Sequence, residues 1–223
     1  MKTAQEVRDA SLAQLGVSFR VAKWLPLRNM NAQLRPTDEI ATRLLAIYAT
    51  FSWAAPGWKK LADDEIQQRI VRDGLDAAMT RAERAIVHTP RTAAFATYGD
   101  TIGWRLENLW PLAWVLGLPL VPRVEGTMID DEALGAVLDF IIAPEGLSPL
   151  VARSQRRDAA EVIALEDLFY CAHNAGRSAQ LGGKTVPADF HPITGTGVVH
   201  ERRHALRWML SPGVAWDETD LST

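Results

Sequence analysis

The sequence predicts a mostly α-helical protein: one globular multi-helix domain over residues 1–223, with seven or eight helices and little or no β-structure. Three observations predict it. Apolar residues recur three and four apart in one segment after another, the spacing that lines one face of a helix. The one strand candidate, Leu118 to Val124, contains Pro119 and Pro122, which restrict it to a sheet edge or a connector. The chain is 48% apolar and 23% charged over 223 residues, enough to bury a core without a disulfide or metal staple.

Residues 1–35 are the ambiguous stretch. Val7, Leu12 and Leu15 start an amphipathic pattern that meets Gly16, and Leu25-Pro26-Leu27 reads as an extended connector. Thr37 or Asp38 can cap the next helix, whose stripe of Ile40, Leu44, Ile47, Tyr48 and Phe51 runs to Pro56-Gly57. A second clear helix starts near Asp63-Asp64 with Ile66 and Ile70 inward. Leu75, Met79, Ala82 and Ile86 extend a third up to Pro90.

Asp100 reads as the cap of the most apolar helix, with Ile102, Leu106, Leu109, Ala113 and Leu116 inward and Gly117-Leu118-Pro119 as its stop. Pro111 inside this run should kink it, since proline removes a hydrogen bond and crowds the preceding turn. Asp130 to Ile142 is a short helix with Leu134, Val137, Leu138 and Ile141 inward. Asp158 to Gln180 is the longest, closed by Gly182-Gly183. A polar loop from His191 to Gly197 leads to a last helix from Val198 to Leu210, and residues 212–223 form an acidic tail. No internal repeat occurs at a fixed period.

With 24 basic and 27 acidic residues the net charge is −3, which supplies no broad field for nucleic acid or anionic membrane. Cys171 is the only cysteine, so no disulfide can form within the chain. The first 14 residues lack the apolar run of a signal peptide, and the most apolar stretch, Leu109 to Pro122, is broken by three prolines. A cytoplasmic location is the expectation. Eight tryptophans, each a large apolar body with one N–H to satisfy, should anchor the core or line a cavity.

The sharpest motif is His200-Glu201-Arg202-Arg203-His204. Residues four apart share a helix face, so His200 and His204 could hold a zinc ion while Glu201 serves as the base. Two arginines in the middle positions oppose a divalent cation, and Arg207 and Leu210 stand where an extended motif needs glycine and histidine. The short tail leaves no room for a second ligand helix. No metal is therefore favoured, and no cofactor is expected.

His173 and Arg177 are four apart in the long helix, with Glu166, Asp167 and Tyr170 on earlier turns. They suit acid–base chemistry, but a salt-bridged helix flank explains them more simply. Arg105 and Glu107 place charge within the most apolar helix; if buried they must pair, Arg105 with Glu166 or Glu201, and Arg105 could equally line a ligand pocket. Cys171, beside the apolar face, reads as a buried structural thiol. Gly195-Thr196-Gly197 lacks the remainder of a phosphate loop, and Arg153, Arg156 and Arg157 fit a solvated turn.

In order and spacing, several short runs resemble the bacterial family known as domain of unknown function 4272. They are Leu34-Arg35-Pro36 with Glu39-Ile40-Ala41 and Arg43, then Trp104-Arg105-Leu106-Glu107 with Trp114-Val115-Leu116-Gly117. Glu166-Asp167-Leu168, Tyr170, His173, Arg177 and Ala179 follow, then Glu201 to Leu206 with Trp208, and finally Trp216-Asp217 with Leu221 and Thr223. Asn174 and Arg207 depart from the tryptophan and asparagine that the resemblance leads one to expect. The resemblance implies no reaction or cofactor. It ties Arg105, Glu107, Glu166, His173, Arg177, Glu201 and Arg202 into one candidate polar network, in which Glu201 or Glu107 pairs with Arg105 or Arg177.

No complete catalytic constellation is present, which points to a non-catalytic binding or interaction protein with a protein or small-molecule partner. A zinc-dependent hydrolase built on His200, Glu201 and His204 is one alternative. A small-molecule sensor with a pocket of Trp104, Trp114 and Trp208 is the other.

Overall fold

Thr3 starts the first helix with a reciprocal cap: its hydroxyl accepts the N–H of Glu6, and the Glu6 carboxylate accepts the N–H of Thr3. The ambiguous N-terminal stretch thus contains α1, Ala4–Leu15. The computed structural model describes residues 2–55 and 61–223. It continues with α2 (Thr37–Ala54), α3 (Asp63–Arg72), α4 (Arg81–His88), α5 (Arg91–Tyr98) and α6 (Arg105–Val115). Then come α7 (Asp131–Ile142), α8 (Leu147–Arg153), α9 (Ala159–Gln180) and α10 (Thr194–Met209).

The described residues therefore hold ten α-helices rather than seven or eight, and no strand. The additional helices are short and scarcely periodic. In α5 only Ala94 is buried, and in α8 only Leu150, so neither carries the stripe that a pattern reading needs. The run from Leu75 to Ile86 is broken in two: a 3₁₀ turn over Leu75–Ala78, then α4 with its own capping box between Thr80 and Glu83.

Other boundaries moved for local reasons. Thr37 is the first residue of α2 rather than its side-chain cap, and the expected end at Pro56-Gly57 lies outside the described residues. Asp100 does not cap α6, because a 3₁₀ turn at Ile102–Trp104 runs directly into it. Pro111 is accommodated inside α6. The strand candidate Leu118 to Val124 is irregular; the Leu120 carbonyl accepts the Trp110 indole N–H at 3.0 Å.

α10 begins at Thr194, not Val198, so the glycines read as loop lie in its first turns. Glycine costs helix stability, yet here close packing requires it. A Cβ on Gly195 would stand 2.9 Å from the Gly126 Cα, and one on Gly176 of α9 would collide with the Thr196 hydroxyl of α10.

The chain forms two compact units. The first comprises Met1–Arg35, Val121–Asp130 and Arg157–Thr223; the second comprises Pro36–Leu120 and Asp131–Arg156. In the first unit α9 packs against both α1 and α10. In the second, α2 is the central element, in contact with α3, α4, α5, α6 and α8, while α6 also packs on α7. From Ile40 onward every residue of α2 except Thr42 is buried, which is why its sequence reads apolar all round. Among the described residues no single helix is long and apolar enough to cross a membrane.

Candidate functional site

The first unit buries charge on its central helix. Glu166 and Asp167 are adjacent on α9 and both lie inside, so helix geometry turns them toward different neighbours. Asp167 is gripped by Arg8 of α1, whose Nε lies 3.2 and 3.1 Å from the two carboxylate oxygens and whose Nη2 lies 2.8 Å from Oδ1. The remaining Arg8 donors serve the carbonyls of Leu25 at 3.0 Å and Pro26 at 2.8 Å. Glu166 receives Arg203 of α10 at 3.2 Å and Arg28 at 3.4 Å. Both guanidinium groups lie over the Tyr170 ring, 4.5 and 3.4 Å from its centre.

Arg203 also donates to His173 Nδ1 at 2.7 Å and to the tail carbonyls of Leu221 and Ser222 at 2.9 and 3.3 Å. An arginine can only donate, so Nδ1 is the acceptor and the His173 proton sits on Nε2. Burial, with Arg203 beside it, holds the His173 pKa down to about 3. Burial also lowers His200, and it pushes the Cys171 thiol up to about 12 with the Asp167 charge adding to the effect. Neither His173 nor Cys171 is poised for proton transfer or nucleophilic attack near neutral pH.

The three histidines form a row, with His200 ring centres 5.2 Å from His173 and 6.3 Å from His204. His204 Nε2 donates to the Trp216 carbonyl at 2.9 Å while its ring lies 4.3 Å from the Trp216 ring. The His204 proton therefore sits on Nε2 and the ring's lone pair on Nδ1. Among the described residues no group of three or more His, Cys, Asp or Glu side chains is arranged to hold a metal ion.

Glu166 and His173 meet through Arg203, which the sequence reading passed over in favour of its neighbour. Arg202, also fully buried, instead donates to the carbonyls of Arg123 at 2.6 Å and Thr127 at 3.2 Å, holding that loop. Arg177 is exposed and donates to Gln180 at 2.5 Å, and Glu201 is half-buried. Arg105 and buried Glu107 belong to the second unit, where Arg105 lies 3.8 Å from Glu83. Trp104 and Trp114 are in that unit too, whereas Trp208 of the first unit is covered by Arg35 at 4.1 Å.

A signal for Arg203 was present. Thr196, Val199, Arg203 and Leu206 form one helical stripe, and Thr196 touches Gly176 of α9. Arg202 shares the other stripe, with Val198, Ala205 and Met209. Only the packing tells which of two apolar stripes faces the acid.

At the C-terminal end of α9 a cleft of about 370 Å³ opens to solvent, lined by Arg20, Trp24, Asn174, Arg177, Ser178 and Thr185 among others. Backbone ties fix its walls: Arg20 N–H to Thr185 O at 2.9 Å, and Ala22 N–H to Asn174 Oδ1 at 2.9 Å. That bond orients the Asn174 amide, leaving its NH₂ without a partner among the described residues. Trp24 is 71% exposed, although tryptophan is ordinarily well covered.

The low pKa of His173 has a measurable consequence. Unfolded, the imidazole titrates near 6.5, so between that value and about 3 the unfolded chain binds the extra proton. Stability is then fully present above about pH 6.5 and falls as pH drops. From about pH 7 to about pH 5 the loss should be about 2 kcal/mol, read by urea denaturation. His173→Asn keeps an acceptor for Arg203 and removes the titration, so its loss over that interval should be visibly smaller. Equal slopes for both proteins would refute this account.

The chain belongs to the family described as Domain of unknown function (DUF4272), which it matches over residues 4–219. No curated protein and no solved structure matches it.

Proposed function

We propose that this member of the family is a non-catalytic binding protein of the bacterial cytoplasm that takes a small molecule in the cleft at the end of α9. The contrast along α9 carries the reading. Toward the middle of the helix Glu166, Asp167, Cys171 and His173 are buried and engaged with one another or with arginines. One turn on, Asn174, Arg177 and Ser178 open onto a cleft whose volume falls within the roughly 300–1,000 Å³ of ligand pockets. The net charge of −3 favours a small molecule over nucleic acid or an anionic membrane as the partner. The single buried cysteine suits a reducing compartment.

Thermal-shift screening against a metabolite library tests this, because a ligand that binds only the folded chain stabilises it by about 2.7 kcal/mol at a hundredfold excess over Kd. Hits should vanish in Trp24→Ala, whose exposed ring contributes little to the core. A silent screen, or robust turnover of a hydrolase substrate that is lost in His173→Asn, would sink the proposal.

A further inference from the structure

The charge around the cleft selects its ligand. No aspartate or glutamate occurs between Asp9 and Asp38, nor between Asp167 and Asp189, and these two stretches build the cleft apart from Thr223. The same stretches bring Arg20 and Arg177 into its wall, with exposed Lys23 and Lys184 next to lining residues in sequence. In a chain of net charge −3, these two stretches thus contribute cations and no acidic side chain to the cavity wall. Among the described residues the Arg20 side chain has no partner, and Arg177 keeps Nε and Nη2 beyond its single bond to Gln180. The acidic tail answers other cations: Asp220 lies in the field of Arg207 and Arg203.

Two further features sharpen the chemistry. Asn174 is 6% exposed, yet its NH₂ group has no partner among the described residues and its residue lines the cavity, so a built donor faces the ligand space. Trp24 offers an uncovered aromatic surface on the same wall. Guanidinium groups match the geometry of phosphate and carboxylate oxygens, and an indole face accepts a flat ring.

Resting on the binding function proposed above, we infer that the cleft takes a small organic anion. Its phosphate or carboxylate is held by Arg20, Arg177 and the Asn174 amide, and its planar ring lies against Trp24.

Calorimetric titration of the full chain tests this with two matched pairs: adenosine monophosphate against adenosine, and benzoate against benzamide. Inorganic phosphate serves as the bare anion. At least one charged ring compound should bind ten times or more tighter than its neutral counterpart and than phosphate, and weaken as salt is raised. The Arg20→Ala/Arg177→Ala double variant should lose tenfold or more of that affinity while keeping its melting temperature, since both side chains are exposed. Neutral partners binding equally well, or a double variant that binds as the parent does, would overturn the inference. If neutral rings bind and Trp24→Ala abolishes them, the anion inference falls while the binding function stands. If nothing binds and the library screen is also silent, both fall.

Discussion

Glu83→Ala should unfold the protein more readily by about 3–5 kcal/mol, much of it the penalty of stranding a buried guanidinium. Arg43 of α2 and Glu83 of α4 form a two-point pair, Nη1 to Oε2 at 2.6 Å and Nη2 to Oε1 at 2.8 Å, with side-chain exposures of only 2% and 0%. Glu83 also accepts the Thr80 N–H at 2.9 Å, so its loss removes that half of the α4 capping box as well, while the Thr80 hydroxyl still caps the backbone N–H of residue 83. Burial pushes the Glu83 carboxyl up, but Arg43 and its hydrogen bonds outweigh that and hold it below the ordinary value. The pair's contribution is thus present above about pH 4.5 and lost as pH falls through the lowered folded value. Glu65→Ala is the control, since the Glu65–Arg69 pair is partly exposed and contributes a few tenths of a kcal/mol, about 0.3–0.5. Denaturant midpoints measure both. Equal, mild effects would mean that the buried pair contributes no more than a surface one.

Arg203→Ala should cost a similar amount, about 3–5 kcal/mol, and should also free the tail. One guanidinium serves the Glu166 carboxylate, the His173 lone pair and two tail carbonyls, and stacks on Tyr170. Arg28 still reaches Glu166 at 3.4 Å, which tempers the stranded charge without replacing the other contacts. Arg203→Lys should recover little, because an ammonium cannot reproduce a planar fork with five donors. Limited proteolysis should then cut within residues 219–223 faster than in the parent. A lysine variant with parental stability and a protected tail would show that charge alone, not the fork, holds this cluster.

How far these groups were legible from sequence depended on how much of each helix's environment is periodic. α9 was read almost to the residue, because Asp158 supplies a side-chain cap to Glu161 N–H and Val162, Leu165, Phe169 and Ala172 repeat on one face. α2 was legible from its long apolar run after Pro36, although no side chain caps it. Helices α5 and α8 were not, since each buries one residue and draws its stability from neighbours. The start of α10 was misplaced because Gly195 and Gly197 resemble a loop until Gly126 is seen packed on Gly195.

The site divides along the same line. Taken alone, the sequence determined that the protein is helical and that Cys171 can make no internal disulfide, and it pointed to Glu166, His173 and, of the arginine doublet, Arg202 as interior polar groups. These follow from composition and from spacing along one chain, which short-range geometry governs. Tertiary structure decided which arginine of the doublet meets the acid, that Arg8, Arg28 and Asp167 join it, and that Arg105 lies on Glu83 instead. It also decided that Arg177, far in sequence from Arg20 and Trp24, lines one cleft with them. A helix with two usable faces leaves its partners open, and long-range packing alone determines which side chain loses its water and must find a counter-charge.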